Sequence, residues 1–189
     1  NVMRFDERPF KDLKDMEQKL IEKWNNKVQD DDTVYFLGDM FWCDDIKARA
    51  ILKTLKGNKI LIPGNHMKGV KNQENRKLFQ GIYDYKELNI DDKFVIISHY
   101  PIFSWKNMRY NSIHLYGHLH NTKEQKLFEQ NIKMMRGYDL PYRAYNVGCM
   151  MPWMNYTPRT LQQIMDGYSI APNIDLRGDK NGKGEGTTN

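Results

Sequence analysis

The chain has 189 residues, of which 40% are hydrophobic and 12% aromatic, a composition typical of a soluble globular protein with a sizeable core. No apolar stretch is long enough to span a membrane, the charged first ten residues do not resemble a secretory signal, and two cysteines are too few for a disulfide framework. The net charge of +5 slightly favours anionic partners. We expect a cytoplasmic protein with one domain over residues 1–170 and a disordered tail over 171–189.

The first part of the chain predicts a helix followed by a strand–helix–strand unit. Apolar residues recur at helical spacing from about Asp12 to Lys27, and Asp12 is a suitable N-cap. Thr33–Leu37 predicts a short strand buried on both faces, and Lys59–Ile62 predicts another. A helix from Asp44 to Lys56 separates them, so we expect the two strands to be parallel.

The second part of the chain predicts mainly strands. Three segments are rich in β-forming residues: Tyr83–Ile90, Phe94–Ser98 and Ile113–Gly117. Asp91 and Asp92 predict a turn that joins the first two segments as a hairpin. Tyr142–Val147 predicts a further strand, and Thr160–Tyr168 predicts a short final helix. The expected fold class is α/β (α+β), with a two-sheet sandwich of mixed strands flanked by helices.

Four short polar signatures follow apolar runs, each at the carboxyl end of its run. They are Gly38-Asp39, Gly64-Asn65-His66, Ser98-His99 and Gly117-His118-Leu119-His120. Strand ends of this kind form the rim of an open α/β sheet, where ligands bind. Asp, Asn and His side chains offer oxygen and nitrogen ligands suited to Mn, Fe or Zn, and pairs of such ions catalyse phosphoryl hydrolysis.

Each signature has a simpler structural interpretation when it is taken alone. A Gly-Asp pair is often a turn, and Asn-His after Pro-Gly is often a structural loop. A histidine that ends a buried strand is usually hydrogen-bonded within the core. A His-x-His pair grips one ion, holds two ions side by side, or binds none. The occurrence of all four signatures in one chain favours a metal site.

Together these residues resemble the calcineurin-like metallophosphoesterases, most closely the small bacterial and phage members. The matching segments are Gly38-Asp39, Gly64-Asn65-His66, Ser98-His99-Tyr100-Pro101 and Gly117-His118-Leu119-His120, in the family's order and with similar spacing. Asn146-Val147-Gly148 also resembles the family's closing strand, and the resemblance extends from near Asn1 to about Met165. It implies a phosphoesterase that uses two divalent metal ions.

The resemblance also implies a metal ligand set. Asp39 would bridge both ions, which would be Mn, Fe, Zn or Ni, with Mn favoured. Asn65, His99 and His118 would complete one metal site, and His120 would belong to the other.

For the substrate, the resemblance implies roles at the Asn-His pair. His66 would be the catalytic residue that contacts the phosphate and protonates the leaving oxygen, and Asn65 and His66 would both bind substrate. The expected partner is a phosphate-ester small molecule or a nucleotide, with no membrane partner and no indication of oligomeric state.

The chain departs from the family at two points. These enzymes normally open with a strand ending in Asp-x-His, which supplies two ligands to the first metal, whereas Asn1–Phe5 resembles the segment after that motif. Two explanations compete: the first strand with these ligands precedes Asn1, which is the favoured one, or this is a true short form. In a true short form the first site would retain only Asp39 and His120, and we would expect at best one tightly bound ion and poor hydrolysis. Met67 stands where relatives often carry an acid, so proton transfer by His66 is expected to be tuned differently.

Several other residues are expected to have structural roles. The aromatic residues beside the signatures, Phe41, Trp42 and Trp105, either line a cleft or pack, and packing is favoured. The Met-rich segment 150–154 predicts core packing, and Cys43 predicts a small buried thiol. His114 lies within a strand and alternates away from the signature, so it predicts a structural histidine.

Two other functions stay open on the sequence alone. One is a non-catalytic scaffold or binding module with a degraded metal site, which the missing Asp-x-His favours and the retained His66 disfavours. The other is a nuclease or phosphodiesterase acting on nucleic acid, a less favoured partner. A basic cluster after the Asn-His pair suggests it, although a solvated helix face explains the cluster equally well: Lys68, Lys71, Arg76 and Lys77.

Overall fold

A computed structural model describes residues 8–120 and 122–170, with the side chain of Ile170 excepted. The predicted tail and the segment Asn1–Phe5 lie outside the described residues. In the described part, the chain forms two β-sheets and five α-helices, a mixed α/β arrangement. This confirms the fold class in its coarser form.

The first helix and the strand–helix–strand unit form where the sequence predicts them. They are α1 (Leu13–Lys27), β1 (Thr33–Phe36), α2 (Asp45–Thr54) and β2 (Asn58–Leu61). Asp12 caps α1 by accepting a hydrogen bond from the backbone N–H of Asp15. Asp44 caps α2 in the same way, accepting from the N–H of Lys47.

The rest of the chain contains the predicted strands and some elements that were not predicted. The elements are α3 (Gln73–Arg76), β3 (Gly81–Ile82), β4 (Tyr85–Ile90), β5 (Lys93–Ser98), a 3₁₀ turn (Met108–Tyr110), β6 (Ile113–Tyr116), α4 (Lys123–Gly137), β7 (Arg143–Asn146) and α5 (Leu161–Ile170). The sequence interpretation missed α3, β3 and the long helix α4.

The two sheets have different strand directions. The first has the order β1-β2-β3 and is parallel throughout, which confirms the predicted parallel pair. The second has the order β4-β5-β6-β7, in which β4 is antiparallel to β5 and the other neighbours are parallel. Asp91 and Asp92 have φ of +48° and +61°, as the tight hairpin turn between β4 and β5 requires.

Alternation along the second sheet divides its side chains between two apolar clusters. In β5, Val95 and Ile97 face a cluster that also contains Ile62, which follows β2 of the first sheet, and Leu161 and Ile164 of α5. Ile96 faces the opposite cluster, which is shared with α4. The second sheet therefore packs against the first sheet on one side and α4 on the other.

The outer face of the first sheet packs against α1 and α2. Phe36 and Leu61 contact a cluster with Ala48 and Leu52 of α2, and Trp24 of α1 stacks on Phe36 with ring centroids 4.8 Å apart. The described layers thus run helix, sheet, sheet, helix.

The expectation that β1 and β2 are buried on both faces is wrong. Thr33 is exposed and the rest of β1 is half-buried, and β2 becomes fully buried only at Leu61. Burial increases toward the carboxyl ends, since Ile62 just after β2 is completely buried. Each strand therefore begins at the exposed surface and becomes more buried toward its carboxyl end.

Within the described residues, no helix is both long and apolar enough to cross a lipid bilayer.

Candidate metal centre

The turns that carry the four signatures lie at the carboxyl ends of strands from both sheets. Asp39 follows β1 and Asn65 follows β2 in the first sheet, while His99 follows β5 and His118 follows β6 in the second. Because the two sheets pack face to face, these ends meet at one rim of the apolar layer between them.

Four of the five predicted metal ligands converge on one point. Asp39, His99 and His118 have ligand atoms within 4.8 Å of one another. Nε2 of His99 lies 3.0 Å from Oδ1 of Asn65 and 3.7 Å from Oδ2 of Asp39. Nδ1 of His118 lies 3.0 Å from the same Asn65 oxygen. We call Asp39, Asn65, His99 and His118 the ligand cluster.

The backbone orients the ring of His99. Its Nδ1 lies 2.7 Å from the carbonyl oxygen of Leu37, which can only accept, so the Nδ1–H donates there and Nε2 is directed at the cluster. Nε2 faces the Asn65 oxygen and the Asp39 carboxylate. The cluster fits a divalent cation, with the Leu37 carbonyl orienting a ligand histidine.

Two glycines let the turns approach this closely. A Cβ on Gly38, which has φ +85°, would lie 2.3 Å from Nδ1 of His99. A Cβ on Gly64 would lie 2.2 Å from Oδ1 of Asp39 and 2.7 Å from Cε1 of His99. The turn backbones therefore pack directly against the ligand side chains, and only glycine leaves the space.

Two members of the ligand cluster have unusual backbone conformations. Asp39 has φ +48° and His118 has φ +60°, values that are uncommon for residues other than glycine. Each such conformation costs on the order of 1–3 kcal/mol and is often found at functional sites. Other described residues outside the cluster also have positive φ, among them Asp91 and Asp92 of the hairpin turn, so these conformations describe the tight turns of the rim.

The environment keeps His118 neutral. Burial lowers the pKa of its imidazole below the ordinary value, and a smaller contribution from His99 acts in the same direction. A neutral imidazole is the form that binds a metal ion. His120 is near enough to lower this pKa slightly, but it is not in the three-residue group of Asp39, His99 and His118.

His66 lies beside the ligand cluster. Its backbone N–H donates to Oδ1 of Asp39 at 2.9 Å, and its side chain is exposed. The Trp42 ring lies 4.5 Å from the His66 ring, tilted by 41°, and is 56% exposed. The packing expectation is therefore wrong for Trp42, whereas Phe41 and Trp105 are buried as expected.

The sequence interpretation did not assign a site role to Asn146, which supports the His118–His120 loop. Asn146 is buried at the end of β7, and its amide donates to the carbonyl of Leu119 and, at 2.8 Å, to Oε1 of Gln125. Gln125 in turn donates to Glu129 at 2.9 Å. A polar residue ending an apolar strand was the available signal.

Asn75 in α3 was missed as well, and it fixes the segment that follows His66. Its side chain is fully buried, with the amide donating to the carbonyls of Asp45 at 2.8 Å and Gly69 at 2.6 Å. Its Oδ1 accepts from Nε of Arg49 at 2.8 Å. These bonds join the loop after His66 to α2.

Asn75→Ala is expected to lower the free energy of unfolding by about 2 kcal/mol, because one buried carbonyl, one partly buried carbonyl and a guanidinium lose their partner together. Urea denaturation measures the change. Gln73→Ala, at an exposed position of the same helix, should stay within about 0.5 kcal/mol of the parent. Equal stability of the Asn75 variant and the parent would contradict this account.

Three other expectations concern residues outside the ligand cluster. Met151, Trp153 and Met154 are buried in the layer between the sheets, which confirms the packing role of the Met-rich segment. Cys43 is half-buried instead of fully buried, and its partial burial raises the pKa of the thiol. His114 is completely buried, which supports the structural role predicted for it.

The predicted basic cluster lies on the surface after His66. Lys68, Lys71 and Lys77 are exposed and Arg76 is half-buried. Lys77 pairs with Glu74 at 2.7 Å, so part of the cluster is a solvated helix face. Lys68 and Lys71 lie on the loop nearest His66 in sequence.

Comparison with known proteins shows that the chain resembles proteins of unknown function in sequence and in fold. No protein-family profile matches the chain. It is 43% identical over 70 residues to MJ1445, an uncharacterised protein of Methanocaldococcus jannaschii, and the match spans 36% of this chain and 40% of that relative. The crystal structure of AQ665 from Aquifex aeolicus, a protein of unknown function, superposes with a TM-score of 0.63 at 24% sequence identity. The match covers 88% of this chain and 91% of the AQ665 chain. The chain therefore shares its fold with AQ665.

Proposed function

We propose that the protein is a metal-dependent phosphoesterase of the calcineurin-like kind, acting on a phosphomonoester or phosphodiester. The observation that carries the proposal is the convergence of two oxygen donors and two imidazole nitrogens from four strand ends. Oxygen and imidazole donors that face one another in this way form a set to which a divalent cation can bind.

The donor set indicates which cations suit the site. A donor set of carboxylate, amide oxygen and imidazole suits Mn, Fe, Zn or Ni, and Mn is the first candidate. The set contains none of the thiolates that hold zinc in structural sites. A bound divalent ion would supply Lewis-acid activation of water and neutralise charge on the phosphate oxygens. Among the described residues, Asp39 and His120 are the candidates for a second ion.

In this proposal His66 handles the proton of the leaving group. Its backbone bond to Asp39 anchors it at the edge of the ligand cluster, and its exposed ring is accessible to substrate. In hydrolysis, water adds its oxygen to phosphorus and the phosphorus–oxygen bond to the leaving group breaks. His66 gives its proton to the leaving oxygen, and the proton lost by water replaces it.

The proposal is tested with metal-free protein and two chromogenic esters, p-nitrophenyl phosphate and its bis-ester. Addition of Mn²⁺ should produce hydrolysis of at least one ester, and a chelator should abolish it. Calorimetry should show Mn²⁺ binding under the same conditions. Tight Mn²⁺ binding without turnover of any phosphate ester would instead favour a binding module.

A matched pair of carboxylate variants links the activity to the cluster. Asp39→Asn should weaken Mn²⁺ binding and lower the metal-dependent rate by about 10–100-fold, because it removes one anionic ligand. Asp30→Asn makes the same substitution at an exposed site before β1, at the opposite end of that strand, and should leave both unchanged. Equal rates for the two variants would contradict the proposed site.

A further inference from the structure

Two exposed aromatic rings flank the ligand cluster, and the proposed phosphate chemistry does not use either of them. Trp42 is 56% exposed and contacts His66, whose N–H is bonded to Oδ1 of Asp39. Tyr100 is 49% exposed, with its ring 4.6 Å from His118 and 4.8 Å from His99.

The two rings contact different residues of the site. Trp42 packs on the ring of His66, the proposed proton donor, whose backbone N–H is bonded to Oδ1 of Asp39. Tyr100 packs on His99 and His118 of the ligand cluster. Exposed aromatic rings also occur elsewhere on the described surface, as at Tyr110 and Tyr138, so exposure alone does not identify a binding site. Trp42 and Tyr100 differ from these in that each exposed ring packs on a histidine of the site.

We propose that the substrate is a phosphodiester of single-stranded nucleic acid, with a base stacked on Trp42 and a neighbouring base on Tyr100. This inference rests on the proposed function, which places the phosphate at the ligand cluster. A diester carries two substituents on phosphorus, and two exposed rings that contact different residues of one site offer one stacking surface for each. Aromatic platforms beside a backbone-binding site are the usual means of holding unpaired bases.

Charge supports a polyanionic substrate. The chain has a formal net charge of +5, and Lys68 and Lys71 are exposed on the loop that follows His66. A phosphotyrosine peptide would also bring a planar ring, but it places only one such ring next to its phosphate. The proposal therefore commits to nucleic acid, and the phosphopeptide becomes an outcome of the test.

The first experiment compares two diesters with the same leaving group: thymidine 5′-(p-nitrophenyl phosphate) and methyl p-nitrophenyl phosphate, both with Mn²⁺. The parent protein should show about tenfold higher kcat/KM for the thymidine ester, the value expected from stacking of one base. Trp42→Leu should bring this ratio close to one, because the stacking ring is lost.

Tyr138→Leu is the matched control. Tyr138 is 75% exposed at the end of α4, and a 15-residue helix places it about 20 Å from the His120 end. This variant should keep the parent's ratio. Equal kcat/KM for the two diesters in the parent protein, or a higher value for a phosphotyrosine peptide, would overturn the inference while the phosphoesterase activity stood.

A second measurement does not depend on turnover. Fluorescence anisotropy in the presence of a chelator compares the affinity of the protein for an eight-nucleotide oligothymidylate with its affinity for an abasic strand of the same charge. The parent should bind the thymidylate about tenfold more tightly, and Trp42→Leu should reduce this difference. Equal affinity for both strands overturns the inference. Absence of hydrolysis for every ester, by contrast, removes the proposed function and leaves the binding result to decide on stacking.

Discussion

Replacing Gly64 with alanine is expected to lower Mn²⁺ affinity and the metal-dependent rate by about a hundredfold, at least as large a loss as removal of a single ligand. The added Cβ would lie 2.2 Å from Oδ1 of Asp39 and 2.7 Å from Cε1 of His99. Contacts below 3.0 Å force a shift, and here the atoms that must move belong to two ligands at once. Displacements of about 1 Å in such constellations cost about a hundredfold in rate.

The backbone conformation at Gly64 isolates this steric effect. Gly64 is not among the glycines with positive φ, so alanine can adopt its backbone conformation and only the contacts oppose it. Calorimetric Mn²⁺ titration and the ester assay measure the loss, and far-UV circular dichroism shows whether the variant remains folded.

Gly137→Ala provides the control for this variant. A Cβ at Gly137 would meet no atom within 4 Å at the end of α4, so the substitution should leave metal binding and hydrolysis unchanged. A folded Gly64 variant with the parent's Mn²⁺ affinity would show that the ligand cluster is not the metal site.

Local signals in the sequence were sufficient to predict much of the fold. The cap Asp12 and the apolar spacing after it predicted α1, the cap Asp44 and Gly57 predicted α2, and the two aspartates of the hairpin turn predicted its position. These features depend on neighbours within a few residues, which the sequence displays directly. The meeting of the ligand residues was also predictable, because it follows from their places at strand ends.

The helix α4 was missed although it carries the usual signals. Thr122 accepts from the N–H of Gln125 as an N-cap, and Phe128, Ile132 and Met135 recur at helical spacing. Most of its other residues are charged or polar, so the apolar stripe is narrow. The helix gains its stability mainly by packing that stripe on the second sheet, a contact that no local pattern reveals.

The supporting residues of the site could not be assigned from sequence for a similar reason. Asn75 bonds to carbonyls of Asp45 and Gly69, and Asn146 bonds to the carbonyl of Leu119, partners that are distant along the chain or belong to the backbone. The exposure of Trp42 likewise depends on the tertiary environment. A polar or aromatic residue type indicates potential contacts, and only the fold decides which are made.

His114 leads to the largest expected effect on stability. It is completely buried, its Nε2 accepts the N–H of Ile102 at 3.1 Å, and its Nδ1 faces the carbonyl of Ile96 at 3.3 Å, so the ring is neutral with the proton on Nδ1. Burial lowers the pKa of His114 from 6.5 to about 4. Protonation would place a charge among the rings of Trp105 and Tyr116 and convert the acceptor nitrogen into a donor.

The sign of the pH effect follows from proton binding. Between pH 6.5 and about 4, the unfolded chain protonates His114 while the folded chain does not, so the free energy of unfolding falls as the pH is lowered through this window. The neutral His114 ring contributes about 3 kcal/mol to the free energy of unfolding above pH 6.5, and this contribution is lost by about pH 4.

Urea denaturation of the parent and His114→Gln at pH 7.5 and pH 5 isolates this contribution. Glutamine is neutral at both values and offers an acceptor oxygen, so the variant should lose about 2 kcal/mol less than the parent between the two pH values. The other titrating groups are common to both proteins and cancel in the difference. An identical fall in stability would mean that His114 does not carry this linkage.

Because Nε2 of His114 accepts the N–H of Ile102, protonation of the ring should also loosen the segment that continues from Tyr100. Amide exchange at Ile102 should therefore accelerate with acidity in the parent beyond the ordinary pH dependence of exchange, and should not do so in the variant.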